Sequence, residues 1–327
     1  MCDSCQSNAM ADEHRLRHRL RATEDGSAAC LNCGAPLAGA FCAACGQRDI
    51  PPYPSVRELA AEAISEFSGW DGRLASSVRA LILRPGLLTH EFLEGRRARY
   101  ISPLRLYLTA SLIYFVLAAA APNVKLESGR SLFLGVQVGA TSTDSNRPQS
   151  RPERVANAAG GALHNEEELT QAQRDSALKD IARAPAVMQP FLRRAVTNPA
   201  GFKRGILEAT PKMLFALLPV FAAIVALFYR GRKYPEHLYF AMHLSAFIFL
   251  ALALTELAKF TQIPALAILT SVIAVVWILL YATLSFRRVY GGSLVGTVIK
   301  ELGIAALYFV TWIAGFVLML YWVSVAT

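Results

Sequence analysis

Five stretches of the chain, residues 102–121, 211–229, 237–258, 263–286 and 302–325, are predominantly apolar over the length that a helix needs to cross a bilayer. A hydrocarbon core about 30 Å thick requires roughly 20 such residues in helical conformation. Each stretch is read as a membrane span. Ahead of the first, the pattern becomes amphipathic: Ser55 and Glu58 form a capping box, and Val56, Leu59, Ala60, Ala63, Ile64 and Phe67 then recur at the spacing of one helix face. That stripe breaks at Gly69 to Gly72. A second stripe of Leu74, Val78, Leu81 and Ile82 stops at Arg84-Pro85-Gly86, and a third short helix over LLTHEFLEG ends at Gly95.

The fold class that follows is an all-α polytopic membrane protein of about five transmembrane helices, to which two CxxC pairs, Cys30/Cys33 and Cys42/Cys45, add a small N-terminal zinc ribbon. Composition agrees, since 54% hydrophobic and 17% charged residues exclude an ordinary soluble chain of 327 residues. The organisation reads as a polar tail (1–29), a cysteine module (30–50), amphipathic membrane-surface helices (51–101), the first span (102–121), a translocated segment (122–210) and a four-span region (211–327). The middle of the translocated segment, GATSTDSNRPQSRPERVANAAGG, has linker composition, and EEELTQAQRDSALKDIARA and FLRRAV around it read as short helices. Pro219 is expected to kink the second span. The polar start MCDSCQSNAMADEHRLRHRL lacks a signal-peptide core, so the first span is expected to insert the protein; Met10 is an alternative start.

Charge sets the orientation. Arg84, Arg96, Arg97, Arg99 and Arg105 precede or open the first span; Arg230, Arg232 and Lys233 separate the second from the third; Arg287, Arg288 and Lys300 separate the fourth from the fifth. All three groups fall on one side if the N-terminus is cytosolic, which places the C-terminus outside the cytoplasmic (inner) membrane. The net charge of +9 points to anionic lipid before nucleic acid. The five arginines before the first span either bind lipid phosphates, at about 1 kcal/mol each, or enforce topology while the helices pack on the bundle. The second reading is favoured.

The segment CLNCGAPLAGAFCAACGQ carries Cys30, Cys33, Cys42 and Cys45 as two CxxC pairs, each followed by a glycine. A CxxCG turn needs a positive backbone angle that glycine permits. Two such knuckles can place four sulfurs about 2.3 Å from one zinc ion, and a closed four-cysteine shell leaves no position for substrate. The zinc is therefore expected to be structural and to supply most of the module's folding free energy. Iron in the same sulfurs is the lesser alternative, and reducing cytosol argues against disulfides. A further pair, Cys2 and Cys5, with His14 and His18 reads C-x2-C-x8-H-x3-H and offers a second metal site; a disordered basic tail is the preferred reading.

Phe41 to Gln47, then Arg84 to Gly86, then Glu91 to Leu93, Gly95 to Arg97, Arg99 to Ile101 and Pro103 give the order FCxxCGQ, RPG and E-[FY]-L-x-G-[RK]-R-x-R-Y-I-x-P. In this order the chain resembles an uncharacterised family of bacterial membrane proteins, a domain of unknown function, over roughly residues 30–115. The resemblance implies a bacterial inner-membrane protein with a zinc ribbon and carries no activity.

Ionisable groups within spans are candidates for function. His243 and Glu256 in the third span are thirteen residues apart, about 20 Å along a helix, and cannot pair within it. Packing for His243 and hydration near the outer end for Glu256 are the simpler readings. No HExxH, GxxxxGK[ST] or GxSxG motif is present, so a non-enzymatic protein is expected. The leading expectation is a membrane-anchored binding, scaffold or regulatory protein whose ribbon meets a cytosolic protein partner. The alternative is a small-solute transporter or lipid-handling bundle using His243 or Glu256. Nucleic acid ranks below both, because the arm lacks aromatic stacking platforms.

Overall fold

A computed structural model describes residues 29–48, 73–122, 131–133, 136–138, 171–183, 185–186 and 188–326. Cys2, Cys5, Met10, His14 and His18, the helix expected after Ser55, and the middle of the 122–210 segment lie outside the described residues. The described chain is predominantly helical. Five of its helices are long and apolar enough to cross a membrane: α3 (Pro103–Ala120), α6 (Pro199–Phe228), α7 (Tyr234–Lys259), α8 (Pro264–Tyr290) and α9 (Leu294–Ala326). Before them come α1 (Arg73–Leu83) and α2 (Leu87–Leu93), and between α3 and α6 lie α4 (Gln171–Ile181) and α5 (Gln189–Thr197). The segment between α3 and α4 also holds a short antiparallel pair, β1 (Ser131–Phe133) and β2 (Val136–Val138), with Ser131 opposite Val138.

Helix ends are set by local capping chemistry, so several helices outrun their apolar runs. Asn198 Oδ1 accepts the amide of Gly201 at the start of α6, where Pro199 occupies the first helical position. Ser293 Oγ accepts the amide of Gly296 and starts α9 eight residues before the apolar run begins at 302. The Lys233 amide donates to Glu236 Oε1 at the start of α7. The second span, expected over 211–229, is the C-terminal part of a 30-residue helix that runs through Pro211 and Pro219.

The chain divides into two compact units. In one, α4 and α5 pack with the first part of α6 and the end of α9: Ile181, Leu192, Ala195, Val196 and Phe202 form a core with Met319 and Val323. Phe191 meets Phe202 edge-on at 5.4 Å.

The other unit holds the cysteine module, α1 to α3, α7, α8 and the adjoining parts of α6 and α9. Its centre is α7. In its most apolar window 61% of residues are buried, against 11% to 28% for the other four spans, so those four keep most of their surface for lipid. Phe249 packs on Tyr107 and Tyr114 of α3, Phe247 stacks on Tyr281 of α8 at 3.5 Å, and Phe240 lies 4.5 Å from Phe286. Helices α1 and α2 also pack on α7. Two of the helices before the first span thus dock on the bundle.

The turn between α1 and α2 approaches α8 closely. Gly86 has φ of +70°, and a Cβ there would stand 3.0 Å from Ser285 Cα and 3.2 Å from Arg288 Cβ. Arg288 donates to the carbonyl of Pro85 at 3.0 Å, which ties the RPG turn to the end of α8. Gly291 has a similar φ of +71° but open space around it. Gly86→Ala is expected to combine a left-handed backbone cost of about 1–2 kcal/mol with an overpacking cost of about 1–3 kcal/mol, whereas Gly291→Ala incurs only the first. Thermal unfolding of the two variants in detergent checks this, and equal losses would refute the close approach.

Candidate metal centre

Each CxxCG segment folds into the same knuckle. The Gly34 amide donates to the Cys30 carbonyl and the Gly46 amide to the Cys42 carbonyl, both at 2.8 Å. Both glycines carry the expected positive φ, +79° and +71°. Bridges Ala29 to Pro36 and Phe41 to Arg48 close the two knuckles. Four sulfurs converge as a result: Cys30 Sγ lies 3.6 Å from Cys45 Sγ, Cys33 Sγ lies 3.6 Å from Cys42 Sγ, and all four lie within 4.8 Å of one another. Sulfurs held about 2.3 Å from a tetrahedral ion stand about 3.8 Å apart, whereas a disulfide brings them to about 2.0 Å. The four thiols are free, and their spacing fits a metal ion.

Electrostatics within the cluster point the same way. The Cys42 thiol is lowered to about 7, chiefly because the Cys45 amide faces its sulfur, with the Ala44 amide and the neighbouring sulfurs adding to this against desolvation. On Cys33 the Ala35 amide has the largest effect and is lowering, yet desolvation and the other three sulfurs together push the thiol up to about 12. One thiolate discourages the next at this distance. A divalent cation at the centre removes that conflict.

The side chain of Gln47 fastens the module to the rest of its unit. Gln47 Nε2 donates to the Gly95 carbonyl at 2.8 Å, and Gln47 Oε1 accepts the amides of Arg97 and Ala98 at 3.1 and 3.2 Å. These backbone groups belong to the irregular connection between α2 and α3, where secondary structure cannot pair them. From the other side Arg73 donates to the Ala98 carbonyl, Ser76 Oγ donates to the Arg99 carbonyl, and Ser77 Oγ accepts the Ile101 amide. Gly95, at φ of +77°, lets Leu31 of the first knuckle approach so closely that a Cβ would stand 2.7 Å from Leu31 Cδ1.

The five arginines before the first span do not share one role. Arg96 forms a bidentate pair with Glu91, both contacts 2.7 Å, which raises its affinity for its proton. The Arg97 guanidinium lies 6.0 Å from the Phe92 ring centre and 5.7 Å from that of Tyr239. Arg105 is half-buried, while Arg84 and Arg99 are exposed.

Within α7, His243 and Glu256 are both buried and separately partnered. His243 Nδ1 lies 3.0 Å from Thr89 Oγ1, and its ring meets Phe92 edge-on at 5.5 Å. Glu256, expected to be hydrated, instead receives Lys259 Nζ on both oxygens at 2.8 and 2.7 Å, with the two side chains only 4% and 7% exposed. Lys259 sits three residues on, on the same helix face. Sequence reasoning also missed the junction of α7 and α8. There Arg232 donates to Glu236 and to the Val289 carbonyl, and His237 Nδ1 lies 2.9 Å from the Tyr290 hydroxyl.

A family model described as a protein of unknown function (DUF3667) matches residues 71–115. The matched stretch spans α1, α2, the junction that Gln47 holds, and most of α3. No curated protein and no solved structure matches the chain.

Two outcomes are expected. Because Cys33 holds its proton up to about 12, metal binding at neutral pH must release protons. Apparent metal affinity, followed by a chromophoric chelator, should then fall steadily on acidification; a pH-independent affinity would exclude thiolate ligation. Removing one partner of the buried pair by Lys259→Met should cost about 3–5 kcal/mol, and adding Glu256→Gln should recover most of it. Thermal unfolding of the single and double variants measures the difference.

Proposed function

We propose that this is a non-enzymatic multi-pass protein of the bacterial cytoplasmic membrane, in which a cytosolic zinc ribbon acts as a binding or regulatory platform attached to the entry of the first span. The observation that carries the reading is the triple hydrogen bond of Gln47 to Gly95, Arg97 and Ala98, which makes the metal-organised module part of the junction it touches. Four thiols suit zinc best among common ions, and a closed shell of four protein ligands gives it a structural role. The basic residues 84–105, 230–233 and 287–300 support a cytosolic N-terminus and an outer C-terminus. We place contact with a cytosolic protein partner at the second knuckle, where Phe41 is 63% exposed. Exposed Arg84 and Arg99 suit anionic headgroups of membrane lipids.

Solute transport or lipid handling through His243 and Glu256 gains little from their surroundings, since Thr89 and Lys259 occupy them.

The test is Cys30→Ser combined with Cys33→Ser in the full chain. Membrane insertion should persist, bound zinc should be lost, and the arm should become protease-sensitive. The amides of Arg97 and Ala98 should exchange with solvent several-fold faster, and Gln47→Ala should reproduce that acceleration with zinc still bound. An arm that stays resistant in the double cysteine variant would sink the reading.

A further inference from the structure

A small cavity lies where α2, α7 and α8 meet, under the RPG turn. Its polar lining comes from Thr89, His243, Tyr281 and Ser285, and Leu88 and Phe240 help close it. The room it leaves for the centre of a water molecule is ≈ 10 Å³, about the least that holds one. His243 and Ser285 are 3% and 2% exposed; His243 Nε2 has no hydrogen-bond partner, and Ser285 Oγ makes no hydrogen bond within 3.5 Å, its interaction with the Tyr281 side chain falling outside that geometry. Polar atoms this deeply buried are normally paired. Two of them lining one water-sized space have a common solution.

We propose that this cavity is a binding site for a single ordered water molecule, held by His243 Nε2 and Ser285 Oγ. The lining supplies an imidazole and hydroxyl groups, with no carboxylate or thiolate among its residues, so it suits a small neutral molecule rather than a metal ion. Water also suits the unresolved direction of the neighbouring bond. If Thr89 donates to His243 Nδ1, then Nε2 carries the ring proton and needs an acceptor; if Nδ1 donates, Nε2 needs a donor. A water molecule serves either tautomer by turning. It completes the polar seam that joins α2 to both spans, beside the contacts of Thr89 to His243 and of Arg288 to Pro85.

The site is tested on the full-length protein in lipid bilayers with ¹⁵N-labelled histidine, by solid-state NMR that transfers magnetisation from water. The His243 signals are identified by their loss in His243→Gln. In the unaltered protein, transfer to His243 Nε2 should be several-fold faster than to lipid-facing backbone amides of α8. In Ser285→Ala it should slow several-fold, while the Nδ1 shift set by Thr89 stays in place. Transfer to His243 no faster than to those amides would overturn the proposal, as would a rate unaffected by Ser285→Ala. Should Ser285→Ala not fold, the unaltered protein decides by itself.

Discussion

The connection between α2 and α3 has no secondary structure to pair its backbone, and the junction depends on how that need is met. Gln47 supplies one acceptor and one donor to three groups, while Arg73, Ser76 and Ser77 supply the opposite side. A backbone polar group taken from water without a partner costs roughly 1–3 kcal/mol, so a junction with six such groups at stake is held by its neighbours or is not held. Gln47 is presented by the bond between the Cys42 amide and its own carbonyl. The knuckle that organises two sulfurs therefore also pairs the backbone just before α3.

The Gln47 contact was beyond sequence reasoning for a definite reason. The two CxxCG pairs announce a local geometry, because glycine at a positive φ and a four-residue turn determine where the sulfurs go. A side-chain amide that reaches a backbone 48 residues away has no periodicity or spacing to announce it. FCAACGQ and GRRARY were both visible as motifs, but nothing in either says that the glutamine of one satisfies the amides of the other. Spans were legible from the apolar runs because bilayer thickness dictates their length. Their starts were not, because Asn198 and Ser293 cap helices outside those runs.

Polar groups in the spans show a related limit. His243 and Glu256 stood out by type, yet the residues that decide their state are Thr89, from a helix before the first span, and Lys259, the last residue of α7. Burial of the pair also follows from position: α7 is enclosed by its neighbours, so a carboxylate that would face lipid on α8 or α9 is surrounded by protein here. A buried ion pair of this kind contributes little net stability and penalises loss of either partner. Glu256 is accordingly a structural commitment of α7.

The enclosure of α7 also bears on how the molecule is made. Glu236, His237, His243, Thr255, Glu256 and Lys259 are all buried on this one helix, so its polar inventory is tolerable only once α3 and α8 flank it. During synthesis α3 is made more than a hundred residues earlier, while α8 follows within a few residues of the end of α7. The first span is thus synthesised long before Phe249, the residue that packs on its Tyr107 and Tyr114. Assembly of this protein is in that sense a problem of timing.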